Sequence, residues 1–275
     1  MIVAKTVEAL RSARRRGMIG FVPTMGYLHD GHLALVRRAR EECDAVVVSI
    51  FVNPTQFGPG EDFATYPRDL ERDLGMLQQE KVDLAFVPDE GGFYPPGADT
   101  FVEPGAVALP LEGERRPGHF RGVATVVTML CNAVRPYRAY FGEKDWQQLQ
   151  VVRRMVRDLH QAVEIVPVPV VREPDGLAMS SRNVRLSAEE RIAARCVPRA
   201  LDAARAAYAT GETDPGALER AMAAVVAAEP AATLDYAVVV DAEALVAAAR
   251  ASESSRALIA ARVGSVRLID NSALV

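Results

Sequence analysis

The feature that most constrains the fold is the run AVVVSIFV at residues 45–52, in which β-branched side chains predominate. An apolar run of this length, without alternating polar residues, predicts a strand that is buried on both faces. Strands buried in this way belong mainly to parallel sheets, because helical crossover connections cover both faces of such a sheet. Helices are therefore expected before and after this run.

Short apolar runs and helical patterns do alternate through the first 170 or so residues. Strands are predicted at Met18–Thr24, Ala45–Val52, Asp83–Val87, Ala139–Gly142 and Glu164–Val171, and helices at His32–Glu42, Arg68–Lys81, Gly122–Val134 and Gln147–His160. With Met18–Thr24 as the first strand, the alternation predicts βαβ units and a parallel sheet of the α/β class. Such sheets bind ligands beyond the carboxyl ends of their strands, where the strand order reverses.

The pattern changes after about residue 172. Ser187 and Glu190 form a capping box, which predicts the start of a helix, and alanine-rich helical segments continue to Ala228. Strands are predicted at Leu234–Asp241 and within Ser255–Asp270. We therefore expect a larger domain at residues 1–172 and a smaller α+β domain at residues 173–275.

Composition limits the class of protein. Of the 275 residues, 49% are hydrophobic and 25% are charged, with a formal net charge of −4, which predicts a soluble globular chain. A general nucleic-acid-binding surface needs an excess of lysine and arginine, so nucleic acid is not an expected partner. No run reaches the eighteen or so apolar residues of a membrane span, and the first residues lack the apolar core of a signal peptide. The three cysteines show no CxxC spacing, so we expect no disulfide framework or zinc site, and a cytoplasmic location.

The stretch MGYLHDGH, Met25–His32, lies between a predicted strand and a predicted helix. The first backbone amides of a helix lack intrahelical partners and attract anions. His29 and His32 are three residues apart, so both can face one space above the strand ends and donate hydrogen bonds to a phosphate.

The same stretch has a plainer explanation. Gly26 and Gly31 can form a turn, and Asp30 or His29 can cap the helix without binding any ligand. A histidine metal site would need a third ligand, and neither of the other two histidines comes with a supporting motif.

Three further polar clusters follow predicted strands: Asn53–Gly58 (NPTQFG), Phe141–Gln148 (FGEKDWQQ) and Leu177–Asn183 (LAMSSRN). Lys144 suits a phosphate as a point charge, and the hydroxyls and guanidinium of Ser180–Arg182 suit a triphosphate and its leaving pyrophosphate. Taken singly, each cluster is also explained as a turn, a helix start or an interdomain loop.

A glycine turn with paired histidines near the start of an α/β unit, and a serine- and arginine-containing loop near its end, form a recognisable combination. It resembles the HxGH and KMSKS-type signatures of the nucleotidyltransferase and class I aminoacyl-tRNA synthetase superfamily. HDGH fits the first signature, and MSSRN fits the second in degenerate form.

Five segments resemble, in order, the pantothenate synthetase (pantoate–β-alanine ligase) family: PTMGYLHDGH, SIFVNPTQF, HFRGV, YFGEKDWQQL and DGLAMSSRN. The resemblance implies a Rossmann-like, doubly wound N-terminal domain, a smaller C-terminal lid domain and a homodimer. It also implies the ATP-dependent condensation of pantoate with β-alanine to pantothenate, AMP and pyrophosphate. The intermediate would be a pantoyl-adenylate, and Mg²⁺ would accompany ATP.

Carried onto this sequence, the resemblance assigns roles to residues in all four clusters. Catalytic roles fall to His32, His29, Lys144 and Arg182. Contacts to ATP fall to Met25, Gly26, Tyr27, Leu28, His29, Asp30, Gly31, His32, Gly142, Glu143, Lys144, Asp145, Val171, Met179, Ser180, Ser181 and Arg182. Pantoate falls to Gln56 and Gln148, and Gln56 also adjoins β-alanine.

The resemblance places Tyr66, Asp73 and Arg121 around the cleft and assigns no residue to Mg²⁺. Trp146 departs from the family, which usually has tyrosine there. Three other functions stay open on the sequence alone: a nucleotidyltransferase that leaves the nucleotide on its product, a non-catalytic nucleotide-binding module, and a fragment of a tRNA-binding synthetase. Release of AMP would separate the ligase from the first of these.

Overall fold

The computed structural model describes all 275 residues, and the chain forms two compact units. The first unit comprises Met1–Glu143 and Gln147–Pro169, and the second comprises Lys144–Trp146 and Val170–Val275. Three residues of the FGEKDWQQ cluster thus belong to the second unit although they follow a strand of the first.

The first unit contains six strands and most of the helices. The strands are β1 (Ile2–Ala4), β2 (Ile19–Thr24), β3 (Ala45–Ile50), β4 (Leu84–Phe86), β5 (Arg138–Gly142) and β6 (Glu164–Val168). The helices that precede β6 are α1 (Val7–Ala13), α2 (Asp30–Glu42), α3 (Leu70–Gln79), α4 (Glu90–Phe93), α5 (Glu112–Arg115), α6 (His119–Val134) and α7 (Trp146–Asp158). Single 3₁₀ turns occupy Pro54–Gln56, Ala106–Ala108 and Glu143–Asp145.

The six strands form one parallel sheet in the order β1-β4-β3-β2-β5-β6. All six residues of β3 are buried, as the run of β-branched side chains predicts. From β2 the chain proceeds through β3 and β4 on one side, and then through β5 and β6 on the other. The strand order therefore reverses between β2 and β5, which is the position where a doubly wound sheet binds its ligands. The predicted Rossmann-like, doubly wound architecture is confirmed.

Several predicted boundaries differ from the observed ones. The prediction that Met18–Thr24 holds the first strand is wrong, because β1 precedes it and pairs with β4 at the edge of the sheet. A three-residue strand is too short to show periodicity, and helix α1 was not predicted either. Helices α2 and α6 begin two and three residues earlier than predicted, at Asp30 and His119.

Strand β6 ends at Val168, short of the predicted Val171. It contains Pro167 and pairs only with β5. An edge position is where a strand tolerates proline, since the missing N–H faces no neighbouring strand.

The second unit has α+β architecture, as predicted. Its strands β7 (Ala232–Asp241), β8 (Ser255–Val263) and β9 (Val266–Ala273) form an antiparallel sheet, and its helices are α8 (Ala188–Ala194), α9 (Cys196–Ala209) and α10 (Pro215–Ala227), with a 3₁₀ turn at Asn183–Arg185. Leu218, Met222 and Ile259 are fully buried in the core between these helices and the sheet. The capping box is confirmed: Glu190 donates its amide to Ser187 Oγ (3.2 Å), and its carboxylate accepts from the Ser187 amide (2.8 Å).

Candidate active site

The stretch Met25–His32 forms a tight turn between β2 and α2. Gly26 and Tyr27 adopt φ values of +81° and +50°. A Cβ atom on Gly26 would lie 2.9 Å from Ile50 Cγ2, so a side chain at this position would be strained and crowded. His29 occupies the N-cap position of α2, whereas Gly31, which the helix-cap explanation placed in the turn, lies inside the helix. That the start of α2 also binds an anion stays a prediction.

Asp73 on α3 fixes this turn in place. Its carboxylate accepts the backbone amides of Tyr27 and Leu28, each at 2.7 Å, and the side chain is 1% exposed. Burial raises the pKa of this carboxyl, and the two amide hydrogen bonds oppose the rise. The resemblance placed Asp73 near the cleft, and the structure shows it bound to the turn itself.

The two histidine rings face each other, with centroids 4.0 Å apart. The His29 amide donates to His32 Nδ1 across 3.4 Å. Because Nδ1 accepts a hydrogen bond, the neutral His32 ring carries its proton on Nε2. An N–H donor on the first turn of a helix is suited to an oxygen atom of a phosphate.

Asn53 determines how the amide of Gln56 is oriented. Asn53 Oδ1 accepts from the Thr55 amide (3.4 Å) and the Thr55 hydroxyl (2.9 Å), and Asn53 Nδ2 donates to the carbonyl oxygen of Gly122 (3.2 Å). A backbone amide can only donate and a backbone carbonyl can only accept, so these two groups fix which side of Asn53 is nitrogen. Asn53 Nδ2 also donates to Gln56 Oε1 at 3.0 Å. The amide nitrogen of Gln56 is therefore the group directed away from Asn53.

That nitrogen donates to Met25 Sδ at 3.1 Å, and Gln56 is 8% exposed. The contact joins the loop after β3 to the turn after β2, which are neighbouring strands. Gly142 ends β5, the other neighbour of β2. Three of the predicted clusters thus begin at adjacent strand ends around the reversal of strand order.

A cavity of about 280 Å³ opens at the carboxyl ends of β2, β3 and β4. Its lining includes the predicted residues Met25, Gly26, Tyr27 and Asp73, together with Ile50, Phe51, Val52, Phe63, Arg68, Asp69, Leu70, Val87, Pro88 and Glu90. The volume lies just below the range of about 300–1,000 Å³ that is usual for drug-sized ligands.

The adjacent glutamines of α7 differ in their surroundings. Gln147 is buried, and its amide donates to the carbonyl oxygens of Val107 (3.0 Å) and Pro110 (2.7 Å) and accepts the Glu112 amide (3.0 Å). Gln148, the predicted pantoate ligand, is half-buried, and its side chain makes no hydrogen bond within the protein.

In the second unit, the backbone of Lys144 is bound to β9. Asn271 Nδ2 donates to the Lys144 carbonyl oxygen at 2.9 Å, and Asn271 Oδ1 accepts from Arg256 Nε at 2.6 Å. The Arg256 guanidinium lies 3.4 Å from the ring centroid of Trp146. The Lys144 ammonium has a 3.4 Å contact with the Asp145 carboxylate. The tail of the chain, which carries no motif, therefore holds the predicted phosphate-binding lysine.

Val171 lies next to the loop Met179–Arg182 (MSSR). The Met179 amide donates to the Val171 carbonyl oxygen at 2.9 Å, beside a bridge between Arg172 and Ala178. Asn183 closes the loop by donating to Glu173 Oε1 at 2.7 Å. The predicted ATP contacts Val171, Met179, Ser180, Ser181 and Arg182 therefore lie on one short hairpin and its continuation.

The structure gives Tyr66 and Arg121 other local contacts. Tyr66 is buried with its ring edge-on to Phe57. Arg121 is exposed, stacks on Phe101 with 3.9 Å between guanidinium carbon and ring centroid, and pairs with Glu103 at 3.4 Å. Their places around a cleft remain predictions.

Three residues that orient predicted site residues had no assigned function from the sequence, or only a loose one. Asn53 lies within the recognised segment SIFVNPTQF, so the sequence offered a signal for it. Asp73 and Asn271 contact residues that are 45 or more positions away in the chain, and their local sequence contains no marker.

No group of three or more His, Cys, Asp or Glu side chains is arranged to hold a metal ion. Cys43, Cys131 and Cys196 are buried and free, and none of the helices has both the length and the apolar character to cross a membrane.

Comparison with known proteins identifies the family of this chain. The sequence model described as pantoate-beta-alanine ligase matches residues 2–273. A pantothenate synthetase of Roseiflexus sp. (strain RS-1) is 56% identical and aligns over 100% of this chain and 99% of its own length. The crystal structure of pantothenate synthetase from Thermus thermophilus is 52% identical, with a TM-score of 0.97 over 100% of this chain and 99% of that one.

A third similar protein carries ligands. The pantoate-beta-alanine ligase of Francisella tularensis, crystallised in complex with beta-gamma ATP and beta-alanine, is 35% identical, with a TM-score of 0.82 over 100% of this chain and 98% of that one. The family model and these relatives cover the whole chain. The protein therefore belongs to the pantoate–β-alanine ligase family.

Proposed function

We propose that this protein joins pantoate to β-alanine at the expense of ATP, forming pantothenate, AMP and pyrophosphate. The carboxylate of pantoate attacks the α-phosphorus of ATP, and the bond to the bridging oxygen breaks to release pyrophosphate. The amine of β-alanine then attacks the acyl carbon of the pantoyl-adenylate, AMP leaves, and the amine loses a proton. Family membership supports this reaction, as does the ligand pair of the Francisella tularensis relative.

The observation that carries the proposal is the 3.1 Å contact between Gln56 Nε2 and Met25 Sδ. The first step requires the carboxylate to meet the α-phosphate, so the acid-binding group must adjoin the nucleotide-binding turn. Gln56 presents an amide N–H beside that turn, which suits a pantoate oxygen. We assign Gln148 to pantoate as well, because its amide has no partner within the protein, and Gln56 to β-alanine.

The nucleotide contacts follow the same reasoning. His32 Nε2–H, the first amides of α2, Lys144 and the Ser180–Arg182 loop would stabilise the triphosphate and the charge that develops on the leaving pyrophosphate. Mg²⁺ usually keeps several waters and binds through substrate phosphates and one or two carboxylates. The protein therefore does not need a ligand cage of its own, and Mg²⁺ bound with ATP would neutralise phosphate charge.

Three broader assignments are part of the proposal and are supported by the family resemblance. Residues 1–172 would bind ATP and pantoate, and residues 173–275 would act as a lid that protects the acyl-adenylate from water. The enzyme would be a homodimer in the cytoplasm. Light scattering after gel filtration would measure the oligomeric state.

The decisive experiment is exchange of labelled pyrophosphate into ATP without β-alanine. We expect exchange only when pantoate is present, and a strong loss of exchange in His32→Ala and Lys144→Ala. Other 2-hydroxy acids serve as the substrate controls, and β-alanine should release AMP. Absence of exchange in the unmodified protein would contradict the proposal.

A further inference from the structure

We propose that His119, supported by Arg116, is a positioning residue for Gln56. It holds the backbone of the turn Asn53–Gln56 from the first turn of α6. The inference rests on the proposed role of Gln56 in binding pantoate.

His119 donates from Nδ1 to the Gln56 carbonyl oxygen at 2.9 Å, and its Nε2 faces Arg116 Nη1 at 3.1 Å. A carbonyl can only accept and a guanidinium can only donate, so the ring must be neutral with its proton on Nδ1. Burial, and next the Arg116 charge, lower the pKa of His119 to about 4. The ring therefore keeps this tautomer, and both hydrogen bonds, throughout the neutral pH range.

Arg116 is itself held in a fixed orientation. Its Nε and Nη2 donate to the two carboxylate oxygens of Glu61 at 2.9 and 2.6 Å, and Nη2 also lies 3.4 Å from the Gln56 carbonyl oxygen. A bidentate arginine–carboxylate pair restricts the rotation of the guanidinium. Glu61, Arg116 and His119 thus form a continuous chain of hydrogen bonds that ends on the backbone of Gln56.

Gly122 gives a second, independent contact between α6 and the same turn. A Cβ atom on Gly122 would lie 2.4 Å from the Thr55 carbonyl oxygen and 2.6 Å from the Gln56 nitrogen, so only glycine permits this approach. The Gly122 carbonyl oxygen also accepts from Asn53, which holds Gln56 Oε1. Helix α6 therefore fixes Gln56 at the backbone through His119 and at the side chain through Asn53.

Loss of the His119 contact should weaken pantoate binding and spare ATP binding. The test compares His119→Leu, which removes both hydrogen bonds, with His119→Asn, whose amide can still donate from the position of Nδ1. In the full-length enzyme we expect His119→Leu to raise KM for pantoate about tenfold, with KM for ATP within about twofold. His119→Asn should stay within about threefold of the unmodified enzyme for both substrates.

Val127→Ala is the control for stability, because Val127 is buried on α6 and takes no part in this chain of hydrogen bonds. If His119→Leu does not fold, Glu61→Gln tests the same chain, with a smaller rise in KM for pantoate. The positioning role is wrong if the unmodified enzyme is active but His119→Leu, or in its place Glu61→Gln, changes both KM values no more than Val127→Ala does. A lack of pantoate-dependent exchange in the unmodified enzyme would instead contradict the proposed function.

Discussion

Asp73 Oδ2 lies 2.7 Å from the backbone nitrogen of Tyr27, a residue held at a φ of +50°. Through this bond and its counterpart at Leu28, a buried carboxylate on α3 determines the path by which the chain enters α2. The direction of the first amides of α2, and of the paired histidines beside them, therefore depends on a residue 45 positions away.

Asp73→Asn should test that dependence. The asparagine retains one acceptor and turns an NH₂ group towards the second amide, which loses a charge-assisted hydrogen bond worth about 2 kcal/mol. We expect that loss in the free energy of unfolding, with a rise in KM for ATP, measured by denaturant unfolding and initial rates. Asp214→Asn is the matched control, because Asp214 also accepts two backbone amides at a helix start but lies at α10. A rise in KM for ATP of equal size in both variants would contradict a specific role for Asp73.

The adjacent residues Gln147 and Gln148 should separate stability from substrate binding. Gln148→Ala should raise KM for pantoate about tenfold and change the free energy of unfolding by less than about 0.5 kcal/mol, since no internal hydrogen bond is lost. Gln147→Ala deprives the buried Glu112 amide and Val107 carbonyl of this partner and removes one of the two donors to the Pro110 carbonyl, which should cost about 3 kcal/mol. Thermal unfolding and pantoate titrations of both variants check this prediction. It is wrong if the two variants lose the same stability and show the same KM for pantoate.

Removal of the Asn271 side chain should weaken the binding of ATP and leave the binding of pantoate unchanged. Asn271→Ala deletes the donor to the Lys144 carbonyl oxygen and the acceptor for Arg256, so we expect KM for ATP to rise about fivefold. Ser272→Ala, one position further on β9, removes a hydroxyl that has no hydrogen-bond partner and is the control. An unchanged KM for ATP in Asn271→Ala would show that Lys144 is placed by other contacts.

Protonation of His119 should make the protein less stable in acid. The pKa of this histidine is about 4 in the folded chain and near 6.5 when unfolded, so the unfolded state binds the proton first as the pH falls. The stabilisation is complete above about pH 6.5 and is lost as the pH falls towards 4, up to about 3 kcal/mol. The difference in unfolding free energy between the unmodified protein and His119→Asn should therefore narrow over this range.

Chemical unfolding at several pH values measures that difference. His160→Asn is the control, because His160 is exposed after the end of α7. If the difference in unfolding free energy between the unmodified protein and His119→Asn stays constant from pH 7 to pH 4, the fold does not lower the pKa of His119 and this prediction is wrong.

The sequence by itself determined the class of fold and the positions of the polar clusters. Apolar periodicity and β-branched runs are local properties, and they located β2 to β6 and the principal helices because burial of those faces decides their structure. The turn Met25–His32 and the loop NPTQFG were found because each closely follows a strand, whereas the loop MSSRN was found by its hydroxyl and guanidinium side chains.

Only the tertiary structure decided which groups orient those clusters. The bonds from Asp73 to Tyr27, from His119 to Gln56 and from Asn271 to Lys144 join residues 46, 63 and 127 positions apart. A hydrogen bond depends on distance and direction in space, and neither quantity is written in the local sequence around its donor or acceptor. The local sequence therefore indicates which side chains are functional. Packing between distant elements decides which way the amide of Gln56 points, which nitrogen of His119 carries the proton and which residue holds the backbone of Lys144.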